Sequence, residues 1–241
     1  MFSKKHLFIF LIILTSVSAL WAGDTAVFVD LGFSPDGRTY MFGQHGVLSP
    51  SLHPWAEIYV VDVARNVFVP NGKASLIHNS AISAWQDGSI ILNRLVSGNS
   101  ILASRYNINS QNIGLPLYIS RELDPPARGE IIDFRDFLGG KSYRVQLIPT
   151  ITGSGKNVRS QFHLIVESAP LNWNWSNASN NQVRKNTVGT PGFVRQGILQ
   201  YNIKRAFIDA AGSSIIFLIE MKRVVDDGFD IRYMVEAFRL N

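Results

Sequence analysis

A run of carboxylates is the first group of side chains whose types could do chemistry. It lies in "RELDPPARGEIIDFRDF" at 121–137 and consists of Glu122, Asp124, Glu130, Asp133 and Asp136. Two carboxyl groups in one cleft could hydrolyse a substrate by general acid–base catalysis, provided that burial separates their pKa values. Three arginines interleave with them, namely Arg121, Arg128 and Arg135. A solvated surface of salt bridges is therefore the interpretation that we favour.

A second group, His45, His53 and Glu57, has side chains that can bind zinc. A catalytic zinc site needs three protein ligands and one open position. The spacing of these three matches no established ligand pattern. Pro54 and Trp55 stiffen the stretch, and packing alone explains their presence. We therefore predict no metal site, no cofactor and no catalytic residue, and we favour a non-enzymatic role. An envelope hydrolase that uses either group is the alternative.

A polar loop at 171–192 contains the residues that we predict to bind a partner, Trp173, Asn174 and Trp175 in "NWNWSN". Flat indole rings flanked by amides can stack on sugar rings or peptide planes while the amides bond to polar groups. We expect an envelope protein or a glycan as the partner. The alternative is that both indoles fold back and cover the core beneath a long loop.

These groups must be positioned by a fold that the sequence predicts to be mainly β, of the α+β type. Runs rich in Val, Ile, Phe and Tyr between turn clusters are typical of antiparallel strands. We predict strands at 26–31, 38–43, 57–63, 116–120, 131–134, 143–149, 161–167, 198–208, 215–223 and 230–240. Both faces of the last strand are only partly polar, which predicts that it is covered on both sides.

One segment, near 75–106, has a different period. Its apolar residues Ile91, Leu95, Leu102 and Tyr106 are spaced by three, four or seven positions, which predicts a helix pair or one long helix. Gly88 and Gly98 interrupt the segment. Two short strands around the "QDGS" turn at 86–89 are therefore the alternative.

The stretch "SPDG" at 34–37 has the residues of a type I turn that closes a hairpin. With its flanking residues, 31–43 and 56–66, it resembles the repeat of TolB-like β-propellers. A propeller should repeat this unit, but the other Gly-ended turns of the chain have irregular spacing and lack the Ser-Pro-Asp-Gly core. We therefore expect antiparallel sheets in a sandwich, or a partial propeller-like arrangement, rather than a closed propeller.

The first residues, "MFSKKHLFIFLIILTSVSALWAGD", have the layout of a secretory signal peptide. Two lysines precede an apolar run that is followed by small residues, and cleavage after Ala22 would leave a single β-rich domain at 23–241. The alternative is a membrane anchor, but Thr15 and Ser16 interrupt the apolar run before it reaches the roughly 20 residues that a spanning helix needs. No later segment is an uncharged apolar run of that length, so we expect no transmembrane segment after cleavage.

Composition and charge also limit the function. Loss of residues 1–22 lowers the Lys and Arg count from 23 to 21 against 18 Asp and Glu, so the net charge falls from +5 to +3. The remaining cations are scattered, whereas nucleic-acid-binding proteins cluster them, so we predict no nucleic-acid role. The chain contains no cysteine, which excludes a disulfide or a lipid-modified cysteine.

Three stretches resemble an uncharacterised family of predicted secreted bacterial proteins, defined as a domain of unknown function. They are "FVDLGFSPDGRTYMFGQHGV" at 28–47, "GLPLYIS" at 114–120 and "AGSSIIFLIEMKRVVDDGFDIRYMVEAFRL" at 211–240. The resemblance implies no activity. It implies a secreted or periplasmic location, which agrees with the signal peptide.

Overall fold

The computed structural model describes residues 23–83, 86–121, 130–176, 182–226 and 228–240, and these form three antiparallel sheets and two short helices. The N-terminal sheet has the order β1-β2-β3-β4, with β1 Val27–Phe33, β2 Thr39–Leu48, β3 His53–Asp62 and β4 Val67–Ile77. The central sheet has the order β13-β12-β11-β5, with β5 Leu115–Ile119, β11 Ile198–Ile208, β12 Ser214–Val225 and β13 Gly228–Arg239.

The outer sheet consists of β6 to β10. Its order is β10-β8-β7-β6, and β9 pairs with β8 beside β10. The strands are β6 Ile131–Asp136, β7 Lys141–Thr152, β8 Arg159–Pro170, β9 Arg184–Val188 and β10 Arg195–Gln196, with a 3₁₀ turn at Gly155–Asn157 between β7 and β8. None of the helices among the described residues has the length and apolar character that crossing a membrane requires.

The central sheet lies between the other two sheets because both of its faces are apolar. Phe217 and Ile219 of β12 pack against Leu164 of the outer sheet in one core cluster. Ile216 and Leu218, which point the other way, pack in a second cluster with the N-terminal sheet. Because successive side chains of this apolar strand point to opposite faces of the sheet, one strand contributes to both cores. The prediction that the last strand is covered on both sides agrees with this arrangement, since β13 contributes to both clusters.

Two helices, α1 Ser89–Gly98 and α2 Ser100–Arg105, cover the outer face of the N-terminal sheet. Leu92 and Leu95 of α1 pack there with Met41 and Ile58 of the sheet. The predicted helix pair is therefore present, but it is shorter than the predicted range of 75–106. Residues 75–77 belong to β4 and 78–83 contain no regular element.

The mainly β fold class is confirmed, and each of the ten predicted strands has a counterpart in the structure. Strand β4 was missed because its Pro70-Asn71-Gly72 stretch has the composition of a turn. In the structure Asn71 has a positive φ of 56° and the pairing of β3 with β4 shifts register there, so the three residues form an irregularity within a strand. The short strands β9 and β10 were also missed.

The "SPDG" hairpin connects β1 to β2 as predicted. The Gly37 N–H donates to the Ser34 carbonyl at 2.9 Å, and Gly37 has the left-handed φ of 63°. The N-terminal sheet is a four-stranded meander, which is also the topology of a propeller blade. The described residues nevertheless stack as layers rather than as a ring of blades, so the resemblance to TolB-like propellers is not confirmed.

Candidate functional site

The carboxylates of the 122–136 run that the structure describes have three separate structural roles. Glu130 accepts the backbone N–H of Ile203 at 2.8 Å and so joins β6 to β11. Asp133 forms a bidentate pair with Arg144 at 2.7 and 2.8 Å. Asp136 is buried and accepts the N–H of Gly139 in the turn after β6. Glu122 and Asp124 lie outside the described residues.

The three side chains predicted to be able to hold zinc do not converge. His45 is buried on the face of β2 that the helices cover, whereas Glu57 points from the opposite face of the same sheet. Burial lowers the pKa of His45, an effect that the nearby Asp87 carboxylate partly opposes. His53 is half-buried at the start of β3. Among the residues that the structure describes, no three His, Asp or Glu side chains are placed to hold one metal ion.

The predicted binding loop lies at one end of the outer sheet. Trp173 and Trp175 are half-buried and Asn174 is exposed. The guanidinium of Arg144 lies 5.0 Å from the centroid of a Trp175 ring, and Asn174 accepts the N–H of Ser176 at 3.0 Å. The indoles thus retain exposed surface while one ring is held in place by a cation. Residues 177–181 of the loop lie outside the described part of the chain.

A cleft of about 590 Å³ opens between the N-terminal and central sheets, and sequence analysis did not predict it. One wall comes from β2, β3 and β4, and the other from β12, β13 and the segment 193–198. Its volume lies within the range of small-molecule sites, which is about 300–1,000 Å³. Most of its lining is aromatic or aliphatic, including Phe42, Trp55, Tyr59, Phe68, Phe193, Tyr233, Leu48, Ile77, Ile198, Met221 and Met234.

The wall from the N-terminal sheet is built of cross-strand neighbours in three rows. They are Phe42, Tyr59 and Lys73; Gln44, Glu57 and Ser75; and Trp55 with Ile77. Because side chains alternate across a strand, all eight point from the same face, while the intervening Ala56 and Ile58 point towards the helices. The rings of Phe42 and Tyr59 stack with centroids 4.9 Å apart, which makes this part of the wall rigid.

The cleft is open because the central sheet covers only part of this face. Phe42 on β2 is 1% exposed, whereas Ile77 on β4 is 55% exposed although its row faces the same way. Strand β4 therefore extends beyond the cover of the central sheet. Its side chains Lys73, Ser75 and Ile77 line the cleft instead of a core.

A hydrogen-bond network joins the two walls. The Gln44 amide accepts the backbone N–H of Tyr233 at 2.9 Å and donates to the Glu57 carboxylate at 2.8 Å. The Tyr59 hydroxyl donates to the same Glu57 oxygen at 2.7 Å. Burial and the Glu57 charge raise the pKa of Tyr59 above its ordinary value, so its hydroxyl remains a donor. The carboxylate in the cleft is thus held in one position by two neutral donors.

A group of ion pairs closes one end of the cleft. Arg232 donates to Asp24 at 2.9 Å, lies 3.2 Å from Asp230, and stacks 4.2 Å from a Trp55 ring. Arg223 pairs with Asp230 at 2.8 Å, and the Trp55 indole N–H donates to Asp24. Burial raises the pKa of Asp24, an effect that Arg232 opposes. Two carboxylates therefore balance two of the guanidinium groups of the cleft.

Arg195 forms no such ion pair within the described residues. Its guanidinium lies between two aromatic rings, 4.8 Å from the centroid of Phe162 and 4.7 Å from that of Phe193. Its Nη1 is buried without a hydrogen-bond partner, and the side chain forms no salt bridge with a carboxylate of the described residues, although its charge acts on the buried Glu236 carboxyl and it hydrogen-bonds the Tyr201 hydroxyl. Arg195 is half-buried and lines the cleft, so its guanidinium can attract an anionic group of a ligand.

Residues 41–239 match the family model described as "Predicted secreted protein (DUF2259)". The chain belongs to this family. The match confirms the resemblance to a secreted family of unknown function and agrees with the secreted location that the first residues predict. A comparison with curated proteins found no match. The signal peptide itself, residues 1–22, lies outside the described residues and stays a prediction.

Proposed function

We propose that the protein is an exported, non-enzymatic binding domain of the cell envelope that takes its ligand in the cleft between the N-terminal and central sheets. The observation that carries this proposal is the cleft itself. Its strand β4 presents Lys73, Ser75 and Ile77 to a space that no other described element fills. Aromatic walls with a few fixed polar groups are the usual construction of a small-molecule site.

The alternative of an envelope hydrolase has less support. The groups that would perform it are divided between separate positions, since His45 and Glu57 lie on opposite faces of one sheet and Asp133 is paired with Arg144. Within the cleft, Glu57 is the one carboxylate that lines the described walls. General acid–base hydrolysis by two carboxylates needs a second one at the same site.

The test is binding of a neutral, apolar fluorescent dye, Nile red, to the mature protein. Ser75→Trp places an indole in the cleft, and we expect it to weaken dye binding at least about tenfold, or about 1.4 kcal/mol. The matched control is Ser97→Trp, which makes the same change at an exposed position on α1. Dye binding that is absent, or equal in the two variants, would contradict the cleft as the ligand site.

The loop residues Trp173, Asn174 and Trp175 are proposed as a second contact, to an envelope protein or glycan. The half-exposed indoles and the exposed amide support this role, as do Phe137 and Leu138, whose exposed side chains lie in the turn of the adjacent hairpin. Cell fractionation followed by identification of co-purifying material would test it, together with a glycan and peptidoglycan screen. Trp173→Ala and Trp175→Ala should each weaken a contact made there, and unchanged binding by both variants would rule the loop out.

A further inference from the structure

We infer that the ligand of the cleft is a linear amphiphile with an acidic head group, such as a medium-chain carboxylate. The inference rests on the proposed function, because it specifies the chemistry of the ligand that the cleft would take. It has two parts, an apolar chain and an anionic end, and different residues argue for each.

The apolar part follows from the position of the aliphatic and aromatic side chains. Trp55 and Ile77 form one row of the N-terminal wall, and Met221, Met234 and Phe193 lie on the other side. Methionine side chains adapt to irregular apolar surfaces, and aromatic rings give flat contact area. Burial of each methylene group against such walls contributes about 0.8 kcal/mol. A flexible alkyl chain therefore fits this cleft better than a polar ligand such as a sugar.

The anionic part follows from the charges. Four cations line the cleft, Lys73, Arg195, Arg223 and Arg232. Asp24 and Asp230 balance Arg223 and Arg232 from behind the wall. The one lining carboxylate, Glu57, is bonded to Gln44 and Tyr59.

Two cations therefore remain for a ligand. Lys73 lies 3.9 Å from the Phe68 ring centroid, and Arg195 lies between two rings. No ion pair joins either one to a carboxylate in the described part of the chain. A guanidinium binds a carboxylate through two parallel N–H donors, and such charge-assisted hydrogen bonds are about twice as strong as neutral ones. We assign the head group to Arg195, because this residue lines the cleft, forms no salt bridge within the described residues, and carries the guanidinium donors that a carboxylate accepts.

The experiment compares three probes with the same ten-carbon chain, namely decanoate, decanol and decyltrimethylammonium. Binding to the wild-type mature protein is measured by displacement of Nile red below the micelle concentration of each probe. We expect decanoate to bind at least about tenfold more tightly than decanol, since one charge-assisted hydrogen bond contributes about 1.5–3 kcal/mol. Decyltrimethylammonium should bind most weakly.

Variants then locate the head group. Arg195→Gln should remove most of the preference for decanoate over decanol, and Arg195→Lys, which keeps the charge, should retain part of it. Arg184→Gln, at an exposed position on β9, should leave the preference unchanged. The measurement on the wild-type protein does not depend on the folding of any variant.

The outcomes separate the two proposals. If Nile red does not bind in the cleft, the proposed function fails. If Nile red binds but decanol displaces it as well as decanoate does, or neither probe displaces it, the cleft is a binding site and the acidic amphiphile is the wrong ligand. A preference for decanoate that survives Arg195→Gln would overturn the assignment of the head group to Arg195.

Discussion

Two side-chain amides, Gln44 on β2 and Asn66 in the turn between β3 and β4, bond to the free edge of the central sheet. Strand β13 is an edge strand, so its outward N–H groups have no partner strand. Gln44 accepts the N–H of Tyr233, and Asn66 accepts the N–H of Ala237 at 2.8 Å. The Asp24 carbonyl accepts the N–H of Ile231, also at 2.8 Å. These contacts hold the layers together and satisfy backbone donors that would otherwise be buried without a partner.

Gln44→Ala should destabilise the protein by about 1–3 kcal/mol. The change removes the acceptor of the Tyr233 N–H and one of the two donors to the Glu57 carboxylate in a part-buried site. The measurement is the free energy of unfolding in urea. Gln111→Ala, in an exposed loop, is the matched control and should cost less than about 0.5 kcal/mol. Equal losses in the two variants would show that the bridge contributes nothing.

The Glu236 carboxyl should make stability depend on pH. Burial raises its pKa, and the hydrogen bond from Asn66 and the charge of Arg195 lower it only in part. Because the folded-state pKa lies above the unfolded one, the contribution to stability is complete below the unfolded pKa, about 4.3. It is lost as pH rises through the folded pKa. Glu236→Gln should therefore gain stability relative to wild type between pH 4 and pH 8, measured by urea unfolding, whereas parallel pH profiles would contradict this.

At the scale of elements, two turns from distant parts of the chain pack against each other. The "SPDG" turn contacts the turn between β11 and β12, where Asp209 accepts the N–H groups of Ser213 and Ser214 at 2.7 and 2.6 Å. The Ser214 hydroxyl donates to the Gly37 carbonyl at 2.9 Å. The most patterned turn of the sequence is therefore a structural contact between the N-terminal and central sheets.

Gly37→Ala should cost more than Gly212→Ala, although both glycines have a left-handed backbone with φ of 63° and 65°. A Cβ at Gly37 would lie 2.4 Å from the Asp209 carboxylate, whereas a Cβ at Gly212 would meet open space. The backbone cost alone is about 1 kcal/mol for each, and the clash adds to it only at Gly37. Urea unfolding of both variants measures the difference. Equal losses would mean that the two turns can separate without cost.

Local patterns predicted most of the elements, and a turn-like composition within a strand concealed one of those that were missed. Residues 198–208 were predicted with the observed bounds because their apolar run ends at Asp209, which caps the following turn. Strand β4 was missed at Asn71-Gly72, yet its second half already carried a signal. Lys73 and Ser75 alternate with Ala74 and Leu76, which is the period of a strand with one polar face.

At the scale of the whole molecule, the three sheets differ in how well they are covered. Strands β11 and β12 lie inside the central sheet with both faces packed. Strand β4 is an edge strand with one face in the cleft. Local stability should therefore fall from the central sheet towards β4, since protection follows burial and hydrogen bonding.

Hydrogen exchange should be slowest in β12 and at least about a hundredfold faster in β4, which corresponds to a difference of about 2.7 kcal/mol in opening free energy. Mass spectrometry of the exchanged mature protein measures both segments in one sample. Decanoate in excess should slow exchange in β4 if it fills the cleft, with β12 unchanged. Equal exchange in β4 and β12 would mean that the layers open together.

The cleft could not be predicted from the sequence because its residues are distant in the chain and ordinary in type. The sequence context of Tyr59 and Tyr233 is that of strand residues buried in a core. Both line the cleft instead, because one sheet extends past another. That offset depends on how the layers pack. The predicted loop site at Trp173 was visible because two indoles in a polar stretch are unusual within one segment.

The hydrogen bonds that Gln44 and Asn66 make to the β13 edge have a consequence for a secreted protein at high concentration. An uncapped edge can recruit a strand from a neighbouring copy and so begin fibrous growth. Gln44 and Asn66 occupy the donors that an intruding strand would need. Replacing both amides would leave the backbone donors of this edge available to other copies of the protein. Self-association in a concentrated sample should therefore be the first effect of their loss.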